Sequence, residues 1–389
     1  MEETFARFSR GLEVGILFIT VTCTHSREIS ESTTTMPESH PMIGGDGTYS
    51  YAKNSYLQRE GIKYAKGLID ETIAHKLDIK DLLSNSRSFK IADLGCSVGP
   101  NTFICMESVI QAVKHKFQSH GLTEQIPDFQ VFFSDHTFND FNTLFRSLPP
   151  ERPYFAAGVP GSFHGRLFPE SSVHFVHSSH ALHWISQVPK EILDKSSPAW
   201  NKGRIYYTGA PDEVGKAYAI QFAKDVEIFL DARAKELVVG GMMVLILPGI
   251  RNGISHSCAV VNVMLDLLGS CLMDMCKEGL VSEAQVDSFN LPMYVPSPKE
   301  MIELVERNGS FKIERMELFD PVPGNEAQIL RSGHAWKMHF RAGLEGVFSK
   351  HFASETIDEL FDRFPNKAAE KLKATSTETT LLFIALKRK

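Results

Sequence analysis

The sequence predicts an α/β fold, with helices on both faces of a parallel sheet and an added α-helical cap. Short apolar runs bounded by turn residues alternate with runs of helical length, and this alternation is typical of a parallel sheet. The 389 residues are enough to bury a large core. The runs that we interpret as strands are Phe89–Leu94, Phe129–Ser134, Val173–His177, Met242–Leu247, Phe311–Phe319 and Thr379–Leu386.

Helices are predicted between these strands. Thr102–Phe117 and Ala217–Val238 have helical length and periodicity, and the glycine pair Gly240-Gly241 provides a stop for the second. A long apolar run, Cys258–Lys277, leads into a proline-rich passage. This change of pattern predicts that the sheet is interrupted by an inserted helical cap.

One domain is predicted over residues 36–389, with the cap inserted at about 250–310 and further cap helices at about 335–375. Residues 1–35 are predicted to be a disordered or non-native extension. The apolar stretch Val14–Cys23 is too short to span a bilayer, and the polar run after it has no clean small-residue cleavage site. A signal peptide is the alternative for this segment.

The charge and the cysteines limit the classes of function. The chain has 41 Lys and Arg against 47 Asp and Glu, a formal net charge of −6, and no basic stripe with interleaved aromatic residues. These features argue against a nucleic-acid partner, and no membrane association is expected. The 6 cysteines form no C-x-x-C pair, so we interpret them as free thiols of a cytoplasmic protein.

A glycine turn directly after the first predicted strand is the strongest functional signal. Gly95 and Gly99 allow a tight turn and close approach to a ligand, and Asn101 is predicted to cap the following helix. The pattern, beginning at Asp93, is D-x-G-x-x-x-G rather than the dinucleotide fingerprint G-x-G-x-x-G. It is the form found where adenosine carries a methionine tail, although an ordinary strand-to-helix turn would also account for it.

Asp135 closes the second predicted strand. Ligands of an open parallel sheet bind at the carboxyl ends of its strands, where a carboxylate can accept hydrogen bonds from both hydroxyls of a ribose. A solvated loop acid is the alternative for this residue.

Ordered motifs elsewhere in the chain make a resemblance specific. The sequence resembles the plant SABATH methyltransferases, and within them the loganate- and farnesoate-type carboxyl methyltransferases, from about residue 40 to the C-terminus. The motifs that carry the resemblance are Tyr49–Arg59, Asn139–Asn142, Gly158–Phe163, Ser178–Trp184 and Asp287–Pro292. The resemblance implies a class I methyltransferase fold with a Rossmann-like sheet, and S-adenosylmethionine as cofactor.

The resemblance also implies which residues bind the cofactor, with Phe163 packing beside the adenine. Two positions depart from the family pattern. Ser97 stands where many methyltransferases have a glycine, and His136 replaces the usual leucine beside the adenosine. The implied cofactor residues are Tyr51, Asp93, Cys96, Asn101, Asp135, His136, Ser162 and Phe163.

For the substrate, the resemblance implies that Gln58 and Trp184 donate hydrogen bonds to a carboxylate and that His183 lies beside them as a third catalytic residue. His180 completes the pocket wall in place of a tyrosine. At i, i+3 and i+4, His180, His183 and Trp184 would share one face of a helix, although an aromatic core stripe has the same spacing.

A magnesium site and a homodimer are further implications of the resemblance. The four positions that match the family's metal site are Asn201, Asp287, Phe289, through its carbonyl, and Asn290. Such hard oxygen ligands suit Mg²⁺, while polar loop residues that bind only water are the alternative.

Two motifs resemble those of other protein classes, a serine hydrolase and a zinc protein, but neither has the required pattern. Gly158–Ser162 is not G-x-S-x-G, so a serine-hydrolase elbow is disfavoured. His174, His177, His180 and His183 recur at every third position, but the first two fall in a predicted strand, where odd separations face opposite ways. We therefore do not interpret these histidines as a zinc site.

The sequence thus predicts an S-adenosylmethionine-dependent carboxyl O-methyltransferase acting on a small plant acid. The alternatives are an N-methyltransferase of the xanthine type and a catalytically silent cofactor-binding protein. A nicotinamide-dependent dehydrogenase is disfavoured because the third glycine of its fingerprint is missing.

Overall fold

A seven-stranded mixed sheet forms the centre of the protein. The computed structural model describes residues 41–79, 87–321, 332–374 and 380–389, so the predictions for residues 1–35 and for Cys23 lie outside the described residues. The strands are β1 Ser88–Leu94, β2 Asp128–Asp135, β3 Phe155–Pro160, β4 Val173–Ser179, β5 Leu237–Pro248, β6 Phe311–Phe319 and β7 Leu381–Arg388.

The strand order is β3-β2-β1-β4-β5-β7-β6. The first five of these are parallel, which confirms the predicted α/β class. The sheet is mixed rather than parallel throughout, because β7 inserts antiparallel between β5 and the edge strand β6. The carboxyl ends of β1, β2 and β4 therefore meet at one edge, with Leu94 opposite Ser134.

Helices cover both faces of this sheet, and two buried apolar clusters lie between them and the strands. The helices are α1 Tyr51–Asn54, α2 Tyr56–Lys76, α3 Asn101–Ser119, α4 Phe141–Arg146, α5 Asp212–Glu236, α6 Val260–Lys277, α7 Glu283–Asp287, α8 Pro298–Asn308, α9 Gly333–Phe348 and α10 Ser354–Ala374. Within the described ranges, no helix has both the length and the apolar character needed to cross a membrane.

Two predicted helix boundaries were wrong. Asn101 does not cap α3, because Pro100 occupies the cap position and the Asn101 amide donates to Ser55 instead. Helix α5 ends at Glu236, and Gly240 and Gly241 lie inside β5. There the register against β4 shifts, since these glycines form an irregularity in the strand rather than a helix stop.

Strand β3 was missed by the sequence interpretation. It is an edge strand whose residues are exposed or only partly buried, so it lacks the continuous apolar run by which the other strands were found. Its end is nevertheless part of the ligand-facing edge, because Asp135 lies opposite Pro160.

The turn after β1 requires glycine. Gly95 has φ +81°, and a Cβ built on it would lie 2.3 Å from the Cβ of Ala181, in the turn after β4. The Gly95 and Cys96 N–H groups both donate to Ser134 O, at 2.8 and 3.1 Å. The absent side chain therefore lets the ends of β1 and β4 approach each other.

We predict that Gly95→Ala lowers the free energy of unfolding by about 3 kcal/mol, because left-handed backbone strain and overpacking add. Gly121→Ala is the matched control, since Gly121 has φ +70° and open space around it. The control should lose only about 1 kcal/mol. Equal losses in urea denaturation of the two variants would contradict the proposed close approach.

Candidate active site

A cavity of about 180 Å³ opens at the carboxyl ends of the parallel strands. Its walls come from the turns after β1, β2, β3 and β4 and from residues of α6 and α9, with Trp336 and His339 on the second of these helices. The sequence-predicted residues that line the cavity are Tyr51, Gln58, Asp135, His136, Phe163, His180, His183 and Trp184. Those not among its lining residues are Asp93, Cys96, Asn101 and Ser162.

Asp135 fixes the turn after β1. Its Oδ2 accepts from Ser97 N at 2.7 Å, and its Oδ1 accepts from His136 N at 2.8 Å. Desolvation raises the pKa of this carboxyl group, while the two backbone hydrogen bonds oppose the rise. The carboxylate retains lone pairs that can accept hydrogen bonds from a ligand.

Ser97 adopts φ +52°, a conformation that favours glycine, which accounts for the glycine common at this position in methyltransferases. The Asn139 side chain donates to Ser97 O at 3.0 Å and helps to hold it. The Ser97 hydroxyl is buried at the cavity without a hydrogen-bond partner in the described structure. A polar ligand group in the cavity would satisfy it.

Asp93 lies beneath the cavity rather than in it. Its carboxylate accepts from the Thr102 hydroxyl and, at 2.7 Å, from His177 Nδ1. Burial lowers the pKa of His177, but Cys105, whose Sγ lies 3.0 Å from His177 Nε2, and Asp93 raise it to about 10. This buried cluster ties β1 to α3 and β4, so these contacts of Asp93 support the turn after β1.

Three other residues predicted to bind the cofactor make contacts with other groups of the protein instead of lining the cavity. Cys96 is buried, with its Sγ 3.5 Å from Ser97 O, and the Ser162 hydroxyl accepts from His164 N at 3.3 Å. The Asn101 amide donates to Ser55 Oγ at 2.9 Å. The last contact connects the start of α3 to the chain that enters α2, where Gln58 lies.

The segment from His180 to Trp184 is not a helix, so the predicted helical face was wrong. His180 has φ +53°, and the chain then pairs with residues 292–294 as a short bridge between Trp184 and Met293. Ile185 N donates to Pro292 O at 2.9 Å and Tyr294 N to His183 O at 2.8 Å. The conformation of this segment is therefore determined by its pairing with residues 292–294 rather than by the helical spacing of its side chains. His180, His183 and Trp184 nevertheless line the same cavity.

Three histidines meet at this end of the cavity. Desolvation lowers the pKa of His180 and His183 to about 3 and that of His339 to about 4. All three are therefore neutral at pH 7. His339, on α9, was missed by the sequence interpretation, although its spacing after Trp336 places both on one helical face.

Among the described residues, the rest of the cavity wall has a single charged side chain. Of the cavity-lining residues that the structure describes, none is Lys or Arg, and Asp135 is the one acid. His183 Nδ1 and Gln58 Oε1 are buried there without partners among the described groups. These two polar atoms therefore make no hydrogen bond within the described structure and are free to make one with a bound molecule.

The four predicted metal positions lie together and are not among the residues that line this cavity. Asn201 Nδ2 donates to Asn290 Oδ1 at 2.6 Å, and Gly203 N donates to Asp287 Oδ1 at 2.7 Å. Phe289, which directly precedes Asn290 in the sequence, is also buried. Across the described parts of the chain, no group of three or more His, Cys, Asp or Glu side chains is arranged to hold a metal ion.

The chain is similar to proteins of one family throughout its described length. Residues 37–389 match the family described as SAM dependent carboxyl methyltransferase. Loganic acid O-methyltransferase of Catharanthus roseus is 44% identical over 362 residues, covering 91% of this chain and 96% of that protein. Farnesoic acid carboxyl-O-methyltransferase of Arabidopsis thaliana is 40% identical over 340 residues, covering 87% and 94%.

Paraxanthine methyltransferase 2 of Arabidopsis thaliana is also similar, with 38% identity over 333 residues, covering 85% of this chain and 92% of that protein. A solved structure described as loganic acid methyltransferase with SAH is 44% identical and matches this fold with a TM-score of 0.85. The match covers 90% of this chain and 99% of the other. These findings confirm the predicted family, the fold class and S-adenosylmethionine as the cofactor, and the chain belongs to the SABATH family of S-adenosylmethionine-dependent carboxyl methyltransferases.

Proposed function

We propose that this carboxyl methyltransferase converts a small, largely apolar plant acid into its methyl ester. The observation that carries the proposal is the uncharged cavity end at which Gln58 and Trp184 lie beside three neutral histidines. Apolar side chains such as Val260, Leu265 and Phe340 also line the cavity. The relatives named for loganic and farnesoic acids support an acid with a terpenoid skeleton.

No general base is needed for this reaction. A carboxylic acid with a pKa of roughly 4.3 is already an anion at pH 7 and can attack directly. The neutral histidines fit this requirement, because they neither protonate the carboxylate nor bind it as cations. Orienting the reacting oxygen toward the methyl carbon can contribute on the order of 7 kcal/mol or more.

The residues present fit S-adenosylmethionine, which supplies the methyl group. The unpaired Ser97 hydroxyl and the Asp135 carboxylate offer polar partners at one end of the cavity. Phe163, with His136 and His164 near its ring, provides an aromatic wall for the adenine. We propose that Tyr51, Asp135, His136 and Phe163 contact the cofactor, and that Asp93, Cys96, Asn101 and Ser162 support the turns that hold it.

We also propose that Mg²⁺ binds outside the cavity, beside Asn201, Asp287, Phe289 and Asn290. Asn201 Oδ1 is buried without a donor in the described structure, as a ligand oxygen would be. Calorimetric titration with Mg²⁺ should show binding that Asp287→Asn abolishes. Absence of binding to the parent protein, or equal binding to the variant, would contradict this site.

A cytoplasmic location and a homodimer are two further proposals. The five described cysteines, Cys96, Cys105, Cys258, Cys271 and Cys276, are unpaired, which supports a reducing compartment. The dimer is supported by the family resemblance alone.

A methyl-transfer screen tests the proposed function. Labelled S-adenosylmethionine is incubated with the protein and, separately, with terpenoid acids, plant hormone acids, benzoates and xanthines. We expect an acid to be the preferred acceptor and the product to be an ester. Preferred methylation of a xanthine would favour the N-methyltransferase alternative, to which the similarity to paraxanthine methyltransferase 2 gives some support.

We predict that Asp135→Asn weakens S-adenosylmethionine binding about 10- to 100-fold, because it removes a charged acceptor. Asp128→Asn is the matched control, since Asp128 is exposed at the other end of the same strand. Isothermal titration calorimetry measures both. Affinities of the two variants within twofold of each other would show that Asp135 does not contact the cofactor.

We predict that Trp184→Phe lowers kcat/KM about 10- to 100-fold for the best acid, because one N–H donor to an anion is lost while the apolar wall remains. Trp200→Phe serves as the control, because Trp200 is not among the cavity-lining residues. Steady-state kinetics and melting temperature are measured together. Unchanged kcat/KM in Trp184→Phe would overturn the carboxylate-binding role.

The histidine cluster predicts a pH dependence of stability. The folded-state pKa values of His180, His183 and His339 lie below the ordinary 6.5, so the unfolded chain binds protons first as the pH falls. Stability contributed by the neutral rings is complete above pH 6.5 and decreases toward pH 4. His183→Gln should reduce the slope of melting temperature against pH in this window, and an unchanged slope would contradict the lowered pKa.

A further inference from the structure

One face of helix α5 carries three buried charged side chains outside the cavity. The side chains of Arg233 and Glu236 are 0% exposed, and Asp225 is 3% exposed. At 100° per residue, Arg233 and Glu236 lie about 80° and 20° around the helix from Asp225. Buried charges are costly unless fully hydrogen-bonded, so their partners identify what they hold.

Arg233 and Glu236 hold the loop that follows β3. Arg233 donates to Phe163 O at 2.7 Å and to Gly165 O at 2.8 Å, and its Nε donates to Glu236 Oε2 at 2.8 Å. The other oxygen of Glu236 accepts from the N–H groups of Leu167 and Phe168. This pair therefore fixes four backbone groups of a loop that has no regular secondary structure.

Arg233 also supports the ring of Phe163, through the ring of Phe229. The Arg233 guanidinium lies 5.2 Å from the centre of the Phe229 ring, and the Phe229 ring meets Phe163 edge to face at 6.0 Å. Phe163 and His164 are the residues of this loop that line the cavity.

The Asp225 carboxylate makes its hydrogen bonds to the other wall, while the charge and the backbone of Asp225 also act on His164 in the loop after β3. Its two carboxylate oxygens accept from the N–H and the hydroxyl of Ser186, each at 2.7 Å, and Gln221 Nε2 donates to one of them at 3.0 Å. Ser186 lines the cavity together with Trp184 and Ile185. The segment that carries Trp184 is thus attached to α5 through Ser186, two residues after the tryptophan.

We propose that α5 acts as a common frame that sets the separation of the two cavity walls, with Arg233 and Glu236 positioning the cofactor wall and Asp225 positioning the substrate wall. The proposal rests on the proposed function, in which Phe163 faces the cofactor and Trp184 the acid. All three are positioning residues, since they act through Phe163 and Trp184. A rigid helix of 25 residues that holds both loops keeps methyl donor and acceptor at a fixed distance.

The proposal is tested by measuring cofactor affinity and KM for the acid separately in variants of each set of residues. Glu236→Gln and Arg233→Lys should weaken S-adenosylhomocysteine binding about tenfold and leave KM for the acid within twofold. Asp225→Asn should raise KM for the acid about tenfold and leave the affinity for S-adenosylhomocysteine within twofold. Glu227→Gln is the control, because Glu227 lies on the same helix in an exposed ion pair with Arg307.

A merely structural role would change both constants in parallel with melting temperature, and that result would overturn the proposal. If Asp225→Asn fails to fold, Ser186→Ala removes the hydroxyl bonds to Asp225 and Gln221 but keeps the backbone bond to Asp225, and it should raise KM for the acid in the same selective way. The calorimetric arm needs no acid: equal S-adenosylhomocysteine affinities in Glu236→Gln and Asp225→Asn refute the assignment of the walls. A parent protein that binds S-adenosylhomocysteine but methylates no acid would instead refute the proposed substrate class.

Discussion

The close contact between Gly95 and Ala181 is the constraint on which the rest of the site depends. A Cβ on Gly95 would lie 2.3 Å from that of Ala181, so only glycine lets the turns after β1 and β4 meet. One turn carries Ser97 and is held by Asp135, and the other carries His180, His183 and Trp184. Because these turns touch, the proposed cofactor and substrate ends belong to a single cavity, as transfer between two bound molecules requires.

The electrostatic character of the cavity follows from its burial. Desolvation keeps the three histidines neutral, and no described lining residue carries a full positive charge. A carboxylate held by neutral N–H donors keeps more of its nucleophilic character than one paired with arginine, whose charge-assisted bonds are stronger. Apart from Asp135, the charged side chains that support the walls lie behind them, in the Asp93–His177 pair and on α5.

The sequence was informative where a local pattern determines the structure. Apolar runs revealed β1, β2, β4 and β5, and the glycine turn and Asp135 were found at the carboxyl ends of strands because that edge is where parallel sheets bind ligands. Edge strand β3 has no buried run and was missed. His339 and the α5 charges were missed because their partners lie far away in sequence and only the folded chain brings them together.

One correction shows how tertiary pairing overrides spacing. His180, His183 and Trp184 have helical periodicity, but the left-handed His180 and the bridge to Met293 give a turn instead of a helix. The prediction that all three face one cavity does not depend on a helix, because a turn over the strand end also directs them there.

The most direct measurement is a crystal structure of the protein with S-adenosylhomocysteine and the best acid from the screen. We expect the acid's carboxylate within hydrogen-bonding distance of Trp184 Nε1 and the Gln58 amide, one of its oxygens facing the homocysteine sulfur, and the adenine against Phe163. An acid bound with its carboxylate directed away from Gln58 and Trp184, or an adenine bound at the histidine end, would contradict the account.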